Sequence, residues 1–524
     1  MDLLNNNGHV IKDKVLINKS RTNDWDIAHN HLDISLSKEY IEPNLESKLF
    51  EVHKYGIKTK SLENDYLQNW PQPKEIYDNL VWHLNENFSQ LRKAKEAVIR
   101  KVGIENCKIK IAIIDTGYQP GHPALPEGFE TPKGISFING ETNQAAIDIS
   151  TGTIAEQNGH GTATIAILGG KNVDIRISTQ SYKGEFGAIP FAEIIPIRIC
   201  DTVALIRTSG FVDAVEYAIN QGCEVISMSM AGAPTKAWAT VVNKAYENGV
   251  VLVTAAGNSW FKGLASISPK RVLYPARWDR VIAATGVAYN HLPYAMEAQT
   301  KLMGGNSEYM QGNYGPLSAM KSAIAAYTPN TTWATLNDKR YPFRINGAGT
   351  SSATPQIAAA AALWIIYHRE KLENLLKNKP TESWKKVEMV KNALFSMADK
   401  SHPEYSKYFG KGILKSFDAL SFDPSTTGLE KAKDATVSLW GIIDLLGVVL
   451  RLKSGNNEEM ITRGEMFGVE ILQEMHKNQK LYKFLDSDET YIWTVEEKNE
   501  IVTVLLDSPN ISLRLKDYLR QGTL

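Results

Sequence analysis

Residues 109–117 read Ile-Lys-Ile-Ala-Ile-Ile-Asp-Thr-Gly, a mainly apolar run that stops on an acid, a hydroxyl and a glycine. Runs of the same kind follow at 193–199 (EIIPIRI), 224–230 (EVISMSM), 250–256 (VVLVTAA) and 280–287 (RVIAATGV). They are continuous rather than alternating, the pattern of strands covered on both faces. Stretches with helical spacing, 211–222 (FVDAVEYAINQG) and 239–249 (ATVVNKAYENG), lie between them. Strand, helix, strand in this rhythm predicts an α/β fold: a mostly parallel sheet with helices on both faces, in three layers. Ligands of such sheets bind beyond the carboxyl ends of the strands. Chemistry is therefore expected in the residues just after each run.

The chain around this core has 524 residues, too many for one hydrophobic core, so two or three domains are expected. Its 43% hydrophobic and 22% charged residues are those of an ordinary globular protein. Lys+Arg and Asp+Glu both number 58, so no net field points to nucleic acid or an anionic membrane. Three scattered cysteines, Cys107, Cys200 and Cys223, make neither a disulfide framework nor a metal motif. The first residues lack the basic and apolar regions of a secretory signal, and a cytoplasmic protein is expected. The most apolar stretch, 435–452, carries Asp444 near its middle, which favours a buried or partner-facing helix over a membrane span.

Three short motifs carry the chemistry. Asp115-Thr116-Gly117 follows the first run; alone it caps a turn equally well, and the two-carboxylate dyad of aspartic proteases would need a second copy that the chain lacks. Asn158-Gly159-His160-Gly161-Thr162-Ala163 opens an apolar helical run, with a histidine that by itself reads as a structural hydrogen-bonder. Asn346-Gly347-Ala348-Gly349-Thr350-Ser351-Ser352-Ala353-Thr354-Pro355 opens another helix. A serine there is an N-cap on general grounds, but the helix start also brings backbone N–H groups to its hydroxyl, donors suited to a tetrahedral oxyanion. Gly257-Asn258 follows the strand VVLVTAA, and its amide either caps the turn or donates to such an oxyanion.

Together, AIIDTGY, NGHGTA and GTSSATP resemble the three signatures of the subtilisin-like serine proteases, in that family's order of Asp, His and Ser. The resemblance implies a catalytic triad with Ser351 as nucleophile, His160 as general base and then acid, and Asp115 orienting His160. It selects Ser351 over Ser352, and it implies Asn258 as the oxyanion donor beside the Ser351 N–H. ISMSMAG (226–232) looks like the strand that pairs with extended substrate, with Ser229, Met230 and Ala231 at the wall of the P1 pocket. The resemblance spans about residues 82–423, from Trp82-His83-Leu84 to YFGKGILKSFDAL.

Two positions depart from the family. Ala231 stands where glycine is common, and Leu273 where a small residue often precedes Tyr274-Pro275. Both narrow the P1 pocket. Residues between Val287 and Gly347 read as an insertion containing MEAQTKLMGGNSEYMQGN.

The expected organisation is an N-terminal arm (1–80), a peptidase domain (81–423) and a helical extension (424–524). Tyr40-Ile41-Glu42-Pro43-Asn44 resembles the end of the family's inhibitory propeptide, so residues 1–48 read as a shortened propeptide or as a packed arm, followed by a linker at Trp70-Pro71-Gln72-Pro73. Apolar stripes at Met466, Val469, Ile471 and Leu472 and at Ile501, Val504 and Leu505 predict a small helical module, with Trp493 and the 435–452 helix for its core. It serves a partner, a regulator or stability alone.

The function implied is peptide-bond hydrolysis through an acyl-enzyme on a polypeptide substrate, with no nucleic acid or membrane partner. A peptide-maturing protease or transpeptidase and a non-catalytic binding module are the alternatives. No cofactor is required; the resemblance allows a structural calcium ion, but no Asp-rich loop assigns one, and metals stay unassigned.

Overall fold

The computed structural model describes residues 2–11, 23–35, 38–48, 70, 79–129, 133–138, 141, 144–149, 158–177, 180–203, 205–262, 265–266, 270–298, 309–336, 342–437, 458–485 and 491–522. Among them, seven strands form one sheet: β1 (Lys110–Asp115), β2 (Ile135–Ser136), β3 (Glu193–Arg198), β4 (Val225–Met228), β5 (Val251–Ala255), β6 (Ile282–Val287) and β7 (Ala323–Tyr327). Their order is β7-β6-β5-β4-β1-β3-β2, and every neighbouring pair is parallel. β7 lies inside the stretch that reads as an insertion; that stretch instead supplies the sheet's edge.

The three layers follow from the period of two along each strand. Ile111 and Ile113 of β1 join the cluster built with α1 (Leu91–Val102), α2 (His160–Gly169), α5 (Thr350–Tyr367) and α6 (Trp384–Ser396). Ala112 and Ile114 point the other way, onto α3 (Thr208–Asn220) and α4 (Lys236–Glu247). Helix α5 is buried from Thr350 to Ile366, which explains why its sequence, ending in AAAAALWII, is apolar all round.

The ends of the chain meet. The helix Asp24–Ile34 begins at Asn23 with a reciprocal capping box to Asp26, and it packs on the helix Glu458–Lys477. Trp493 does enter the core of the C-terminal helices, whereas residues 438–452 of the expected 435–452 helix lie outside the described residues. Among the described residues no helix is long and apolar enough to cross a membrane. Trp70 is 2% exposed, and its indole donates to the Met310 carbonyl at 2.9 Å.

Candidate active site

β1 ends at Asp115, which is buried, and its carboxylate is fully engaged. His160 Nδ1–H donates to Oδ1 at 2.7 Å, the Thr116 N–H donates to the same oxygen at 2.7 Å, and the Thr164 hydroxyl donates to Oδ2 at 3.2 Å. A carboxylate only accepts, so it fixes the imidazole proton on Nδ1 and leaves Nε2 as the basic nitrogen. Helix α2 comes close enough because residue 161 is glycine: a Cβ there would sit 2.1 Å from the Gly117 carbonyl oxygen. The Gly161 N–H instead reaches the Thr116 hydroxyl at 3.1 Å. Trp333 lies edge-on against the His160 ring, centroids 5.4 Å apart.

Ser351 stands at the start of α5, and it is tied to the end of β4 by a reciprocal pair of bonds. Its hydroxyl donates to the Ser229 carbonyl at 3.1 Å, and the Ser229 hydroxyl donates to the Ser351 carbonyl at 3.0 Å. β4 adjoins β1 in the sheet, so the serine and the Asp115–His160 pair share the carboxyl edge, one strand apart. As the second residue of its helix, Ser351 has no i−4 carbonyl for its N–H. The turn into the helix uses Gly349 at φ +80°, a conformation L side chains rarely adopt.

Asn258 accepts the Thr350 N–H at 2.9 Å and the Thr350 hydroxyl at 3.3 Å, both on Oδ1. With its oxygen so engaged, the amide has its N–H donors left to offer, beside the helix start that carries the Ser351 N–H. Asn258 also begins a strand paired with Tyr309–Gly312, so the end of the MEAQTKLMGGNSEYMQGN stretch braces the residue from its far side.

The proposed P1 walls are laced together by their backbones. Gly232 and Tyr274 exchange hydrogen bonds at 2.7 and 3.1 Å, and the Leu273 N–H reaches the Ala256 carbonyl at 2.9 Å. Leu273 is 1% exposed, with its side chain against Gly257. Ala231 is buried on the facing segment. The Met230 side chain turns into the core beneath α3 and α4, where its sulfur meets Cys200 Sγ at 3.3 Å; only its main chain remains for a wall.

A buried ionic cluster behind Asp115 escapes the motif reading. Arg198, with a side chain 0% exposed, donates to the Thr116 carbonyl and to Glu141 (2.9 Å) and pairs with Asp201 (2.5 Å) and Asp148 (3.7 Å). Asp148 in turn accepts the Gly159 N–H at 2.7 Å, one residue before His160. The signal is the lone arginine inside IIPIRI (194–199), an otherwise apolar run. Among the described residues no three His, Cys, Asp or Glu side chains group as a metal site.

Comparison with known proteins gives the same picture at the level of sequence. The family model described as the subtilase family matches residues 106–412. Subtilisin DY of Bacillus licheniformis is 28% identical over 322 residues, covering 60% of this chain and 92% of that protein. Subtilisin E of Bacillus subtilis (strain 168) is 28% identical over 339 residues, 63% of this chain and 72% of its own length. A subtilisin of Bacillus pumilus is 28% identical over 326 residues, 62% and 95%.

Proposed function

This chain belongs to the subtilase family and is a serine-type endopeptidase, and from that premise we propose that Asp115, His160 and Ser351 carry its chemistry. The observation that supports this most is the 2.7 Å bond from His160 Nδ1–H to Asp115, which makes Nε2 the basic, proton-accepting nitrogen. The Ser351 hydroxyl turns from the Ser229 carbonyl to attack the scissile carbonyl carbon, and its proton passes to His160 Nε2. The tetrahedral oxyanion meets the Asn258 amide and the Ser351 N–H. His160 then returns the proton to the leaving amine. Water, deprotonated by the same nitrogen, releases the acyl group from Ser351. Every step draws on side chains, backbone donors and water.

We propose further that specificity is restricted and that the protein works inside the cell. The first reading is supported by Ala231 and the enclosed Leu273 at the P1 walls, the second by three buried free thiols, Cys107, Cys200 and Cys223. Residues 1–48 act as a prosegment on this reading, supported by the antiparallel pairing of Glu46–Lys48 with Leu205–Arg207, the segment that follows β3 and leads into α3.

The test is labelling with a fluorophosphonate. The wild type should label at Ser351 and cleave peptides. Ser351→Ala, His160→Ala and Asp115→Asn should each lose almost all turnover, without additive effects, because the three act as a unit. A Ser351→Ala protein with half the wild-type rate would remove the proposal.

A further inference from the structure

The C-terminal helices have their own apolar core, with Phe467, Ile471, Met475, Trp493 and Leu515 among its members. The helix Glu458–Lys477 has a second apolar face that this core does not use. Met466 and Val469 turn instead to Trp25, Ala28, Leu32 and Tyr40 of the N-terminal segment, in a separate cluster.

Several polar groups along the same face make specific pairs across it. Trp25 Nε1–H donates to Gln473 at 3.3 Å. His29 Nε2 meets Glu470 at 3.1 Å with both side chains enclosed, and the Ser512 hydroxyl shares that carboxylate at 3.1 Å. Asp33 takes both Arg463 and Arg514. Burying groups such as His29, Glu470 and Gln473 is costly unless they are paired, so these pairs make the face complementary to the N-terminal segment rather than merely covered by it.

The segment's opposite side grips the peptidase core. Glu42 accepts the Lys236 and Ala237 N–H groups at 3.1 and 3.0 Å, at the start of α4. Asn44 and Ser209 exchange hydrogen bonds of 3.0 and 3.2 Å at the start of α3. The C-terminal helices touch the core directly as well: Gln473, the partner of Trp25, donates to the Pro234 carbonyl at 3.4 Å. Lys236 reaches Glu465 at 2.6 Å.

We propose that the C-terminal helices and the starts of α3 and α4 form one composite socket whose ligand is residues 23–35 and 38–48 of this chain, held independently of the covalent link to residue 79. The socket gives residues 458–522 a function: retaining the N-terminal segment as a non-covalent subunit once the connecting chain is cut. Only the consequence for activity rests on the prosegment reading above; the holding itself does not.

The experiment uses full-length Ser351→Ala protein with the recognition sequence of an unrelated site-specific protease inserted between residues 60 and 61. After cutting, size-exclusion chromatography with mass detection follows the N-terminal fragment. It should co-elute with the remainder, and Met466→Asp in the socket or Trp25→Ala in the ligand should speed its loss at least tenfold. Trp25→Ala alters only the fragment, so its effect cannot come from unfolded C-terminal helices. A fragment that leaves the parent protein freely, or that stays equally bound in both variants, would overturn the socket. The same insertion in active enzyme separates the two readings: a fragment that stays bound without lowering peptide turnover sinks the prosegment and leaves the socket standing.

Discussion

The enclosed guanidinium of Arg198 donates a hydrogen bond to the carbonyl of Thr116, the residue after Asp115. Asp148 carries the link onward, 3.7 Å from the same guanidinium and 2.7 Å from the Gly159 N–H. One ionic cluster thus grips the chain beside both Asp115 and His160. Removing Arg198 would leave several carboxylates uncompensated and cost about 3–5 kcal/mol, which mixes folding with function.

Asp148→Asn is the cleaner change, because it keeps the shape and removes the charge. It should lower kcat by roughly tenfold to a hundredfold with KM little changed, since small displacements of a catalytic group cost that much. Rates per fluorophosphonate-titrated site, measured across pH, check it. An unchanged rate per titrated site would make the cluster purely structural.

Asn258 should act on the transition state alone. Its oxygen is committed to Thr350, so on the proposed mechanism the donors that remain would meet charge that exists only after attack. Asn258→Ala should lower kcat by about 10²–10³ with KM nearly constant. An effect confined to KM, in steady-state kinetics on one peptide, would reassign the residue to ground-state binding.

The sheet and the meeting of Asp115 with His160 were legible because their signals are local. Each apolar run is continuous over several residues, and each proposed catalytic residue lies within a few residues of a glycine that its local geometry requires. Arg198 and Asp148 were not legible as a pair, because fifty residues separate them and only the fold brings them together. β7 was hidden for a different reason: AIAAY is short and small, and the Met- and Asn-rich stretch before it masks its contrast. Along the helix Glu458–Lys477 the apolar stripe was readable but not its destinations. Met466 and Val469 meet the N-terminal segment while Ile471 and Leu472 enter the helical core, a division that periodicity cannot express.

Leu273 and Ala231 lead to a prediction about substrate choice. Each adds carbon at a proposed P1 wall, and Leu273 is held by its backbone to Ala256 at 2.9 Å, so it has little freedom to move aside. Peptides with Ala, Ser or Gly at P1 should show higher kcat/KM than those with Phe or Leu. One methylene's worth of pocket discriminates by only ~1–3 kcal/mol, so the preference should be graded. Leu273→Gly should shift it toward Phe and Leu. A series of peptides differing only at P1 decides: a clear wild-type preference for Phe or Tyr would end the idea.

Glu42 gives the N-terminal contact a pH dependence. Burial pushes its carboxyl up from the ordinary 4.5 to about 7, against the opposing pull of the Ala237 and Lys236 N–H donors and the Tyr40 hydroxyl. The Lys236 ammonium offers limited help, because it pairs with Glu465 at 2.6 Å. The folded protein therefore holds a proton on Glu42 that the unfolded chain releases near its ordinary value. The stability this contributes is fully present below about 4.5 and is lost as pH rises through about 7, a change on the order of 3 kcal/mol. Glu42→Gln removes the titration, keeping an oxygen for Ala237 and an amide for Tyr40 while giving up the Lys236 N–H. Its absolute stability can move either way, so the slope is the quantity to compare. Urea midpoints of Ser351→Ala protein with and without Glu42→Gln, taken from pH 4.5 to 8, should converge or diverge with pH in favour of the glutamine at the alkaline end. His29, which burial drives down to about 3, and Glu470, which burial raises to about 8, titrate alike in both proteins and cancel in the difference. A difference constant across that range would mean that Glu42 stays charged in the folded protein.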